Sequence, residues 1–99
     1  VLYFSNSDGV SDALQIGNLF VEFDSRNRIV GIEILDASSF LSDQLEENVT
    51  EQDLNAVSGG DIRVDRNGEL VAIRVSWVYG EPETERSYSF GVQSRPVTA

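Results

Sequence analysis

The feature that most constrains this chain is an alternation of apolar and polar residues that occurs twice with the same layout. Slid along itself by 41 positions, the stretch 21–34, V-E-F-D-S-R-N-R-I-V-G-I-E-I, lies without gaps over 62–75, I-R-V-D-R-N-G-E-L-V-A-I-R-V. Val21 then coincides with Ile62, Phe23 with Val64, Ile29 with Leu70, Val30 with Val71, Ile32 with Ile73, and Ile34 with Val75. Asp24 matches Asp65 outright. Period-two alternation about a four-residue turn is the pattern of a hairpin with one buried face. In D-R-N-G, Asp65 is placed to bond its own backbone at the first turn position, and Gly68 to take the positive φ that closes a type I turn with a bulge. The aligned residue of D-S-R-N is Asn27, the other residue type that tolerates that conformation. The two stretches read as pseudo-repeated hairpins of one geometry, or as two independent solutions to the same local problem.

Helical spacing takes over between the hairpins. Asp36 is placed to cap a first helix, with Ala37, Phe40, Leu41 and Leu45 on one face and Asp43, Glu46 and Glu47 on the other. Thr50 with Asp53 forms a capping box for a second helix, and Val49 before it can staple onto Leu54. Gly59-Gly60 supplies a left-handed stop. The spacing therefore predicts a helical insertion over 37–58, two short helices packed by their apolar stripes on one face of a sheet. The N-terminal residues 1–4, V-L-Y-F, read as a strand before a polar S-N-S-D-G turn. A second alternating piece spans 13–16, and Gly17-Asn18 turns into the first repeat. Later, Val71, Ile73, Val75, Trp77 and Tyr79 share one face of a long strand. Tyr88, Phe90 and Val92 share one face of its neighbour, with G-E-P-E-T-E as the reversal and 95–99 as a tail. The expected class is α+β: one domain over 1–99, a mainly antiparallel sheet of two hairpins plus terminal strands, and a helix pair on one face.

At residues 19–38 the run L-F-V-E-F-D-S-R-N-R-I-V-G-I-E-I-L-D-A-S, with L-Y-F at 2–4 before it, resembles a small bacterial and archaeal family of uncharacterised proteins, domain of unknown function twenty-two eighty-three. Its members look like D-x-L-Y-I, a short polar turn, an alternating strand, an acidic turn and V-G-I-E-I-L-D-A-S. The resemblance covers 1–40 and lapses over 50–99. The family's usual Asp would fall just ahead of Val1, and with Val rather than Met in first place the expectation is a trimmed N-terminus. The resemblance implies a compact sheet with a trailing helix. It also implies, through a neighbouring gene for a small ribonuclease-like toxin in some members, an antitoxin-like binding role.

Composition narrows the chemistry. The chain carries 17 acids against 7 arginines, with no lysine, no histidine and no cysteine, for a formal net charge of −10. Without His or Cys there is no serine–histidine pair, no thiolate nucleophile and no imidazole or thiolate zinc site. Acid–base work would fall on carboxylates, Tyr or Arg, yet no two of the acids stand out as a catalytic pair. The expectation is no enzyme and no cofactor. The turn Asn6-Ser7-Asp8-Gly9 with Asp12 sets oxygens at alternating spacing, so Asn6, Asp8 and Asp12 are the candidate metal ligands. The closing bidentate Glu of a calcium loop is missing, and the expectation is no metal.

Direct contact with nucleic acid or an anionic membrane is disfavoured, because phosphate affinity needs a Lys/Arg footprint. No apolar run approaches the roughly 20 residues of a membrane span. A protein partner, basic or a second copy, is the natural complement, and adaptation to concentrated salt accounts for the same charge. Trp77, Tyr79, Tyr88 and Phe90 are the candidate partner-binding residues, aromatics of the kind enriched at interface hot spots. Gly31 and Ala72 sit opposite in pleat to the large aliphatics, where the helix pair or a partner could approach, and Glu33 and Arg74 could meet across the sheet. The leading expectation is a non-enzymatic, cytoplasmic interaction module, antitoxin-like or self-associating. The alternatives are a structural subunit of a larger assembly in a salt-rich setting and, behind it, a carboxylate-dependent hydrolase.

Overall fold

The computed structural model describes residues 1–5 and 9–93. In chain order the elements are β1 (Leu2–Ser5), β2 (Asp12–Ile16), β3 (Leu19–Phe23), β4 (Ile29–Ile34), α1 (Ala37–Leu45), α2 (Glu51–Asn55), β5 (Val57–Asn67), β6 (Leu70–Tyr79) and β7 (Thr84–Gln93). The class is α+β and every strand pair is antiparallel. The strands form two sheets where one was expected: a four-stranded sheet ordered β1-β4-β3-β2 and a three-stranded sheet β5-β6-β7. Alternation reveals that each hairpin has one apolar face, but not what covers it. Here the two sheets and α1 cover one another, burying Phe4, Val21, Ile32 and Ile34 with Leu41 and with Ile73, Val75 and Trp77 in one core. Among the described residues no helix is long and apolar enough to cross a membrane. The tail 95–99 lies outside the described residues.

Both repeats are hairpins, β3-β4 and β5-β6, but their turns differ. In the first, Asp24 Oδ1 accepts from the backbone N–H of Arg26 at 2.8 Å and of Arg28 at 2.9 Å, and Asn27 takes φ 61°. Val30 is the extra residue of a bulge, since Glu22 opposes Gly31 while Phe23 opposes Ile29. In the second, Asn67 still pairs with Leu70, so the turn narrows to Gly68-Glu69, with Gly68 at φ 64°. Asp65 is therefore not a turn residue; it stands in the ladder opposite Ala72. The registers consequently differ by two: Val21 faces Ile32, whereas Ile62 faces Val75, the counterpart of Ile34. An even shift leaves each apolar set on its own face, which is why one sequence pattern serves two registers.

The helix borders also divide. Thr50 and Asp53 form the expected capping box, with Thr50 Oγ1 accepting from Asp53 N–H at 3.1 Å and Asp53 Oδ2 from Thr50 N–H at 3.3 Å. Asp36 does not cap with its side chain. It sits at φ 48°, and its carbonyl accepts from Phe40 N–H at 2.8 Å. Ala37 and Leu41 face the core, with Phe40 and Leu45 packed at its margin. The helical stretch ends at Asn55, before 58, because Gly59 and Gly60 are strand residues of β5 rather than a left-handed stop. What demands glycine at 60 is the Phe4 ring, whose Cε1 would lie 2.7 Å from an added Cβ. Phe4 thus crosses the β5 backbone to reach Trp77, ring centroids 5.9 Å apart, and locks the two sheets together.

Candidate functional site

The four candidate aromatics are not one exposed cluster. Trp77 is 1% exposed and belongs to the core, so it cannot meet a partner in the folded chain. Tyr79 is half-buried with the Arg86 guanidinium 4.5 Å above its ring. Tyr88 and Phe90, adjacent on the inward side of β7, stack at 5.7 Å, and Phe40 of α1 meets Tyr88 edge-on at 5.6 Å. The Tyr88 hydroxyl reaches Gln44 at 3.4 Å, and partial burial raises its pKa. Both rings remain half-buried.

Arg86 was not singled out by sequence, and it fastens β7 to the helix pair. Its Nε donates to Glu47 at 3.3 Å, its Nη1 to Asp53 at 3.1 Å and its Nη2 to the Asn48 carbonyl at 3.4 Å. The guanidinium holds the Asp53 carboxyl below the ordinary carboxylate range, helped by the Thr50 N–H. The available signal was parity. Thr84, Arg86, Tyr88, Phe90 and Val92 share one pleat face, and a cation on that apolar face implies an anionic partner inside.

With Arg86 turned inward, residues 87–93 of β7 (S-Y-S-F-G-V-Q) carry no charge. β7 is an edge strand, hydrogen-bonded to β6 alone in the sheet order. The four sheet edges are unlike. β2 is five residues long and begins with Asp. β1 lies against β5, Phe4 on Gly60. β5 carries a register shift between Val57 and Gly59 and the charges of Asp61, Arg63, Asp65 and Arg66. These are the devices that keep edges from pairing with other chains: short length, cover, irregularity and charge. β7 runs ten residues in unbroken register against β6, with neither Pro nor Lys. Its outward residues Ser87, Ser89 and Gly91 are small and its inward ones aromatic or aliphatic, so nothing on the edge obstructs a further strand.

The remaining candidates are accounted for locally. Gly31 is approached by neither the helices nor a partner: the Tyr3 hydroxyl donates to Glu22 Oε1 at 2.6 Å directly over it. That bond raises the Tyr3 pKa. Glu33 and Arg74 lie on different sheets and do not meet; Arg74 donates to Ser87 Oγ at 3.2 Å. Asp12 Oδ1 accepts from the N–H of Ala13 at 2.8 Å, while Asn6 and Asp8 lie outside the described residues. Asp24 is the one carboxylate in the buried set. The Arg28 N–H first, then its guanidinium and the Arg26 N–H, lower its pKa. On the outer face of the three-stranded sheet, a depression of about 440 Å³ is lined by Gly59, Gly60, Asp61, Arg63, Arg74 and Glu85. Its charges are exposed and of both signs, with Asp61 3.9 Å from Arg63.

Residues 1–38 match a family described as Protein of unknown function (DUF2283). The matched segment contains the whole four-stranded sheet and the first residues of α1, and stops short of β5, β6 and β7. No curated protein and no solved structure matches the chain.

Proposed function

We propose that this chain is a non-enzymatic protein-interaction module that receives a partner by strand addition at the free edge of β7. The observation that carries the reading is the contrast among edges. Three are short, covered or charged, and the longest regular one is left plain, which is the condition under which main-chain pairing supplies affinity and alternate side chains supply selectivity. The state of the acids supports the non-enzymatic part. Asp24 and Asp53 are shifted downward by arginine and backbone N–H groups and so stay ionised, whereas a catalytic acid needs the opposite shift.

A Ser89→Lys variant tests it, because an edge lysine opposes strand pairing without touching the core. Native mass spectrometry of full-length protein isolated from its cells should find the wild type assembled, with itself or with another protein, and the S89K variant released. An assembly unchanged by S89K, or a wild type free of any protein, refutes the proposal. In the antitoxin-like version the bound protein is cationic and dissociates as salt rises.

A further inference from the structure

Resting on that reading, we infer that the occupant of the β7 edge is a second copy of this chain, paired antiparallel about a two-fold axis through Ser89. An isologous contact requires a patch to complement itself, and few strands do. In antiparallel pairs, residues directly opposite share a pleat face, so the axis must pass through a residue and not between two. Centred on Ser89, the pairing overlays residues 85–93 of each copy. Each Tyr88 then stands opposite the other copy's Phe90, an aromatic cross-strand pair made twice. Ser87 stands opposite Gly91, Arg86 opposite Val92 and Glu85 opposite Gln93.

No like charges are brought face to face, although the whole chain is at −10. The two three-stranded sheets become one sheet of six strands, and the inward row Tyr88–Phe90, half-buried in the monomer, continues into its symmetry mate. A strand from an unrelated protein would gain the same main-chain bonds but would need its own aromatic at this spacing. The self-pairing has it built in.

The absence of cysteine allows a direct test of register. Opposed Cα atoms in an antiparallel pair lie about 4.5–5.5 Å apart, within disulfide reach. Ser89→Cys therefore places two thiols face to face, whereas Ser87→Cys leaves its two copies about 13 Å apart along the strands. Both side chains are on the outer face of β7, away from the core. The full chain should sediment as a dimer, and S89C should oxidise to a covalent dimer while S87C stays reducible to monomer at every oxidant level. S89K should raise the dimer dissociation constant at least about tenfold. Equal cross-linking of S87C and S89C, or a wild type that is monomeric into the millimolar range, overturns the inference. In the monomeric case, loss of another bound protein in S89K would leave the strand-addition reading standing. No change in S89K would remove both.

Discussion

Two glycines separate close approach to a rigid group from close approach to a yielding one. At Gly60 an added methyl meets the buried ring of Phe4, which is held against Trp77 and has nowhere to move. At Gly31 it meets the Glu22 carboxylate, the far end of a flexible side chain that can swing into solvent at the loss of its bond to Tyr3. Gly60→Ala is therefore expected to destabilise the fold by about 1–3 kcal/mol, as overpacking does. Gly31→Ala should cost less than about 1 kcal/mol, an exposed hydrogen bond being worth little. Urea unfolding followed by the single Trp77 reads both, since that indole lies at the sheet–sheet contact. Arg86→Met keeps the stem and removes the fork, and should lower the denaturation midpoint by more than Arg63→Met, because Arg86 is 14% exposed and Arg63 80%. An equal effect of the two would mean that the tether to Glu47 and Asp53 contributes nothing.

At the level of elements, the Asp24 turn gives a pH signature of known sign. Its folded pKa lies below the ordinary 3.8, so the ionised carboxylate stabilises the hairpin at all pH above 3.8, and that contribution disappears as pH falls below 3.8 through the folded value. Asp24→Asn should melt below the wild type at neutral pH, with the gap closing as the solution is taken under 3.8. A gap constant with pH would assign the loss to packing. This turn also marks what sequence could and could not reveal. Strand existence and faces were legible, because period-two alternation is enforced by burial itself: Val71, Ile73, Val75 and Trp77 are inward as their spacing requires. Turn geometry was less so, because D-S-R-N and D-R-N-G look alike while one closes over four residues with a bulge and the other over two. Gly59-Gly60 read as a helix stop because the sequence around it says nothing of Phe4, far away in the chain. The edge was invisible for the same reason: which strand ends up outermost is a property of strand order, and alternation is silent about neighbours.

For the molecule as a whole, net charge and the dimer act against each other. Two copies at −10 repel, and the uncharged stretch 87–93 does nothing to offset it, so added salt should tighten self-association by screening. A cationic partner would respond in the opposite direction. Sedimentation of the full chain in dilute buffer and in molar KCl reads the sign directly, and a dimer that weakens with salt would contradict this account. The family match adds a different consequence. The segment it covers, 1–38, is one complete sheet, and that sheet turns Phe4, Val21, Ile32 and Ile34 toward the strands and helix that follow it. A shorter protein that stops near that point keeps the greasy underside and loses its lid. Evolution can then treat the second sheet as an interchangeable cover, fused in cis here and recruitable from another molecule elsewhere.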